Sequence, residues 1–115
     1  MAGEAEAGRV LATADEIHIP IPVLAELRYG FLRGNRLSEN EARLRTLLSR
    51  PRVFILSPDE QTTHEYAKVM AQLRSQGTPI PINDVWIAAL TIQHNLALFD
   101  RDHHFDHLPQ VARVR

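Results

Sequence analysis

Three carboxylates stand where this sequence could handle a hard cation together with a phosphoester. They are Glu26 in Ala25-Glu26-Leu27, Asp84 in Ile82-Asn83-Asp84-Val85, and an acid of the ligand-dense run Asp100-Arg101-Asp102-His103-His104-Phe105-Asp106-His107. Oxygen ligands drawn from separate segments are what Mg2+ or Mn2+ requires, and such ions are commonly shared with a substrate phosphate. The chemistry is hydrolysis of a phosphodiester, the metal lowering the pKa of a bound water and offsetting charge in the in-line transition state. No cysteine is present, so thiolate metal sites and disulfides are excluded.

Each of these acids also has a plainer account. Glu26 on an amphipathic helix reads as a solvated surface residue. Asp84, at the mouth of an apolar run, reads as a helix cap, and Asp102 and Asp106 as loop acids that cap turns. His103, His104 and His107 could hold a transition metal, with 103 and 107 on one face if helical. His18, alternating with Ile17 and Ile19, is expected on the open face of a strand.

The elements that would position these residues follow from the pattern. Residues 4 to 14 carry helix formers. Ile17-His18-Ile19-Pro20-Ile21 reads as a short strand with Pro20 at its end, and Val23, Leu24, Leu27, Phe31 and Leu32 recur at helical spacing after Pro22. Gly34-Asn35 closes that helix. Ser38 to Glu41 reads as a capping box before the Leu44, Leu47 and Leu48 stripe, which Pro51 ends. Val53-Phe54-Ile55-Leu56 is a strand, Ser57 to Glu60 a second capping box, and the next helix runs to Gly77, burying Tyr66, Val69, Met70 and Leu73. Pro79 to Leu90 is the organising stretch: an extended approach, then Val85 to Leu90 apolar on every side, the pattern of a helix buried all round. Asn95 is expected as its C-cap, Leu96 to Phe99 as a strand, and Val111 to Val114 as a final short one.

Short apolar strands separated by helices define an α/β class, expected here as one domain over 1–115, a three-layer sandwich around a mostly parallel sheet. In such sheets ligands sit beyond the carboxyl ends of strands, which picks out the helix after Pro22, Asp84, and the run after Phe99. A net charge of −1 and pI near 6.6 argue against a general basic field for nucleic acid. Lys68 is the only lysine beside twelve arginines, and arginine suits forked contacts to carboxylate or phosphate. No apolar run approaches the ~20 residues of a membrane span, and the acidic N-terminus is unlike a signal sequence, so the expectation is a cytoplasmic protein. A phospho-acceptor receiver domain is set aside, because Lys68 falls mid-helix rather than at a strand end.

Pro22-Val23-Leu24-Ala25-Glu26-Leu27-Arg28-Tyr29-Gly30, then Pro81-Ile82-Asn83-Asp84-Val85-Trp86-Ile87-Ala88-Ala89, then Asp100-Arg101-Asp102-His103-His104-Phe105 together resemble the successive signatures of PIN-domain ribonucleases, in particular the VapC toxins of toxin–antitoxin pairs. The resemblance implies a Mg2+-dependent (or Mn2+-dependent) endoribonuclease, held inactive by a small antitoxin and forming a homodimer or a toxin–antitoxin hetero-oligomer. It implies that Glu26, Asp84 and Asp102 belong to one acidic metal cluster. Asp84 and Asp102 would bind the ion directly or through water, and Glu26 would hold a metal water or act on the attacking one. Arg28 is a candidate for RNA or antitoxin contact.

The sequence departs from that family in two places. Such proteins begin with a buried strand ending in Asp-Thr-Asn or Asp-Ser-Asn, whose aspartate is a primary ligand. Met1 here falls where the following helix should already be under way, so the expectation is a chain without that central strand and its aspartate, weak or inactive as written. Asp100 stands where relatives carry threonine or serine, either adding charge to the pocket or raising a neighbour's pKa. The rival from another class is a non-catalytic PIN-like domain that binds an antitoxin or RNA.

Overall fold

The structure, a computed structural model, describes residues 15–99 and 103–114. The expected helix over 4 to 14 lies outside the described residues. The described residues divide into two compact units, one holding 15–19 and 24–56, the other 20–23, 57–99 and 103–114.

The described part of the first unit is built on a two-stranded sheet of β1 (Ile17–Pro20) and β2 (Val53–Leu56). Ile17 N–H donates to the Arg52 carbonyl at 2.8 Å beside this pair. Helix α1 (Ile21–Arg33) starts directly after Pro20, one residue earlier than the Pro22 start expected. Its first three residues fall in the second unit and the rest in the first. Helix α2 (Leu37–Leu48) packs on β2, and Leu24, Leu44 and Val53 are buried. Arg28 Nε donates to Glu41 Oε1 at 3.2 Å, tying α1 to α2, and Arg43 pairs with Glu39 one turn back.

One expectation for this unit is corrected. Ser38 is not a cap: α2 closes its first turn on the Arg36 carbonyl, which accepts from Asn40 N–H at 2.9 Å, so Ser38 is already helical. In β2, Phe54 and Ile55 are 43% and 50% exposed. A strand paired on one side in a two-stranded sheet offers less surface for cover than a central one. Phe54 does stack on His18 across the strands, ring centroids 5.3 Å apart, so His18 is half-buried on an aromatic partner.

The second unit is organised by α3 (Glu60–Gln76) packed on α4 (Ile82–Gln93). Val85, Ile87, Ala88, Ala89 and Leu90 of α4 are all buried, as its unbroken apolar run requires. Val69 and Leu73 from α3 join them in the core, with Tyr66 and Met70 at its border, and the Tyr66 and Trp86 rings lie 4.3 Å apart. Thr91, also buried, satisfies its hydroxyl on the Ile87 carbonyl at 2.7 Å.

Helix ends here are closed by identifiable groups. Gly77, at φ 69°, ends α3, with Thr78 N–H reaching back to the Leu73 carbonyl at 3.0 Å. Asn95, at φ 53°, does the same after α4: its N–H bonds Ile92 O and Leu96 N–H bonds Thr91 O, a Schellman closure. His94 is the C-cap and Asn95 the residue beyond it. The two expected late strands reduce to a single parallel bridge between Leu98 and Arg113.

The cap of α3 is Asp59 rather than Ser57. Thr62 N–H donates to Asp59 Oδ1 at 3.1 Å, while Asp59 N–H donates to the Thr62 hydroxyl at 2.9 Å. Gln93, at the far end of α4, donates from Nε2 to the same Asp59 oxygen at 2.9 Å and accepts from the Thr62 hydroxyl at 2.5 Å. This lock joins the start of α3 to the end of α4. The Gln93 bond and the Thr62 N–H bond hold the Asp59 carboxyl below its ordinary pKa of 3.8.

Thr62 is fully buried, so Thr62→Val strips a shared hydroxyl from inside the lock; the expected loss is about 1–3 kcal/mol in urea denaturation. Because the folded Asp59 pKa is depressed, its contribution is present above the unfolded value and lost as pH falls through the folded one. Melting followed by circular dichroism should therefore fall below pH 3.8, less steeply in Asp59→Asn.

Candidate active site

Asp84 is the third residue of α4, after the N-cap Pro81. The Pro81 carbonyl accepts from Asp84 N–H at 3.0 Å and Val85 N–H at 3.2 Å, and no side chain caps the helix. The cap reading of Asp84 is thereby corrected: the extended proline makes the turn, which leaves the carboxylate available for a partner outside the helix. It sits in the first turn, at the positive end of the macrodipole, where a negative group is favoured.

A partner is present. His104 Nδ1 lies 2.6 Å from Asp84 Oδ2. A carboxylate can only accept, so Nδ1 carries the proton of this bond when Asp84 is ionised. The carboxylate is the more enclosed member, 14% exposed against 40% for the imidazole.

What holds His104 there is its neighbour. Residues His103–His107 form a 3₁₀ helix that packs on α4. Phe105, 1% exposed, enters the core beside Leu108 and Val111. Gln76 from α3 donates to the His107 carbonyl at 3.0 Å, and Gln72 pairs with Gln110 through their side-chain amides. His103 contacts Asp106 at 3.2 Å and Arg113 Nη1 donates to the other Asp106 oxygen; together these hold the Asp106 carboxyl low, the histidine bond contributing most.

These pairings separate the three histidines. His103 contacts Asp106 and His104 contacts Asp84, while the backbone carbonyl of His107 accepts from Gln76. Among the described residues no group of three or more histidines and carboxylates is placed to hold an ion. Glu26 is exposed on α1 in the first unit, and Asp84 belongs to the second. Asp100 and Asp102 lie outside the described residues. The donor that is described fits a hard cation: Asp84 offers carboxylate oxygen, backed by an imidazole donor of the kind that orients metal-binding carboxylates. An open cavity of about 490 Å³, lined by Phe105, Asp106, Leu108, Pro109, Val111 and Arg113, includes neither Asp84 nor His104.

The Asp84–His104 pair is the feature sequence reasoning missed. Its signal was a histidine placed immediately before an apolar anchor, His104-Phe105, in a run already singled out for its ligands. Arg28 is exposed and engaged with Glu41, and Lys68 is exposed on α3 near Glu65.

An α/β chain with an enclosed aspartate at the start of a buried helix matches the model of the PIN domain over residues 2–111. The chain belongs to the PIN-domain family, and its fold is the α/β PIN fold with VapC-like relatives. It is 31% identical over 96 residues to Ribonuclease VapC4 of Mycobacterium tuberculosis, covering 84% of this chain and 74% of that protein. It is 32% identical over 112 residues to Ribonuclease VapC5 of the same organism, covering 95% and 83%. In structure it resembles VapBC2 from Rickettsia felis bound to a DNA fragment from their promoter, at TM-score 0.82 and 27% identity, covering 99% of this chain and 85% of that one. VapBC-1 from nontypeable Haemophilus influenzae superposes at TM-score 0.81 with 26% identity over 99% and 84% of the two chains.

The anchoring role of Phe105 gives a direct expectation. Phe105→Ala opens a cavity in the second unit and should reduce stability by about 3–5 kcal/mol in chemical denaturation. The same variant should broaden or shift the His104 ring signals in NMR, because the turn that carries that ring loses its apolar root.

Proposed function

We propose that this chain is a divalent-metal-dependent endoribonuclease of the VapC type, a toxin restrained by a small antitoxin. The single observation that carries the reading is the enclosed Asp84 carboxylate in the first turn of α4, hydrogen-bonded to His104, in a PIN domain whose relatives are named ribonucleases. Bound Mg2+, or Mn2+, would supply a water of lowered pKa and positive charge toward the phosphoryl oxygens.

Within that reading Asp84 and Asp102 would hold the ion, directly or through water. Glu26 would hold a water of the ion or accept a proton from the attacking water. The described parts of the chain contribute rigidity, since Asp84 leaves a helix that is buried along most of its length. With a net charge of −1, RNA is engaged locally at the metal rather than by a general basic field.

The structural neighbours VapBC2 and VapBC-1 are toxin–antitoxin complexes, which supports an antitoxin as the partner and a homodimer or hetero-oligomer as the assembly. No described helix is long and apolar enough to cross a membrane, in keeping with action on RNA in the cytoplasm. The competing non-catalytic reading, a domain that only binds antitoxin or RNA, differs in what metal does to it.

The test is cleavage of structured RNA by the purified chain with Mg2+, with EDTA, and with Asp84→Asn, Asp102→Asn and Glu26→Gln. Chelation should abolish cleavage, and Asp84→Asn should lower it on the order of 10²-fold or more. A protein that binds RNA or antitoxin equally well in wild-type and Asp84→Asn forms, and never cleaves, would establish the binding-only reading instead.

A further inference from the structure

We propose that His104 is a positioning residue: it fixes the orientation of the Asp84 carboxylate so that its oxygens meet a divalent cation in one geometry. The inference rests on the metal-dependent reading above, and it adds a residue that the three carboxylates do not include.

Left to itself, an aspartate in the first turn of a helix has a competing use. Its side chain can swing back to the unpaired backbone N–H groups of that turn, and both helix dipole and local hydrogen bonding favour this. A carboxylate that alternates between backbone and ion is a poor ligand. The Nδ1 donor 2.6 Å from Oδ2 opposes that swing by engaging one carboxylate oxygen from outside the helix.

The donor is itself stiff. Nδ1 is the ring nitrogen nearer the backbone, so its position is governed mainly by the 3₁₀ turn rather than by a long side chain. That turn is rooted by Phe105, the next residue, and by Leu108, both 1% exposed, and is tied to α3 through Gln76 and the His107 carbonyl. Val85, next to Asp84, is buried in the same core cluster as Phe105. Donor and acceptor thus project from adjacent positions on one packed body, and a shift of either would disturb that packing. The difference in exposure agrees: the carboxylate is the more enclosed of the two.

The experiment is a Mn2+ titration of the full chain by calorimetry, for wild type, His104→Ala, His104→Asn, His104→Gln and Asp84→Asn, with melting followed for each. Asparagine places an amide N–H near the position of Nδ1, whereas glutamine places it near Nε2. His104→Ala and His104→Gln should weaken Mn2+ binding about 10- to 100-fold. His104→Asn should recover most of the affinity. In RNA cleavage, saturating Mn2+ should restore much of the His104→Ala rate with little change in KM for RNA.

Equal Mn2+ affinity in wild type and His104→Ala would overturn the proposal while leaving the nuclease reading intact. So would a His104→Asn variant as weak as His104→Ala, which would assign the need to the imidazole ring itself. A wild-type chain whose Mn2+ binding is absent or indifferent to Asp84→Asn would overturn the nuclease reading, and this proposal with it.

Discussion

Burial of α4 on nearly every side is the constraint from which the rest of the second unit follows. A helix whose Val85, Ala88, Ala89 and Leu90 are all shut from solvent has no polar face on which to carry function. Only its ends can meet polar partners, and both do. At the C-terminal end Gln93 joins the lock with Asp59 and Thr62, and at the N-terminal end Asp84 meets His104. The two ends differ in consequence: one fastens the helix to α3, the other presents a carboxylate.

Proline governs the presenting end. With Pro81 as N-cap, the turn is made by a fixed backbone and no side chain is spent on capping. The acid in the first turn keeps the favourable dipole without having to close the helix. At the start of α3 the opposite solution is used, where Asp59 is consumed in its own capping box and buttressed by a glutamine from α4. Two aspartates near helix starts therefore have opposite fates, decided by what else is within reach of each.

The 3₁₀ turn after residue 102 links core and site in the shortest possible distance. Phe105 faces the core and His104, one residue before it, reaches Asp84. Apolar burial of this kind is worth about 1.5–3 kcal/mol and is not screened by salt, so it holds a polar pair more firmly than surface ion pairs such as Arg43 with Glu39. Membership of the PIN-domain family gives this arrangement its context, a fold whose relatives include ribonucleases.

Local sequence determined a good deal by itself. The periodicity of Val85 to Leu90 marked a helix buried all round, Val53 to Leu56 marked a strand at its observed bounds, and Gly77 marked a helix end, each because a period or a backbone preference is written in neighbouring residues. Asp84 was legible as a candidate for the same reason, since a lone acid opening an apolar run is conspicuous. Caps were misplaced at Ser38 and Ser57, because several residues in a row can serve and only packing chooses among them. The strands at Leu96 and Val111 shrank to one bridge, because pairing needs a partner at the right distance and apolar composition alone does not supply one. Which of three histidines in five residues would meet Asp84, twenty positions away, was decided only by tertiary structure. That choice depends on where Phe105 finds its place in the core, a three-dimensional fact that no spacing along the chain encodes.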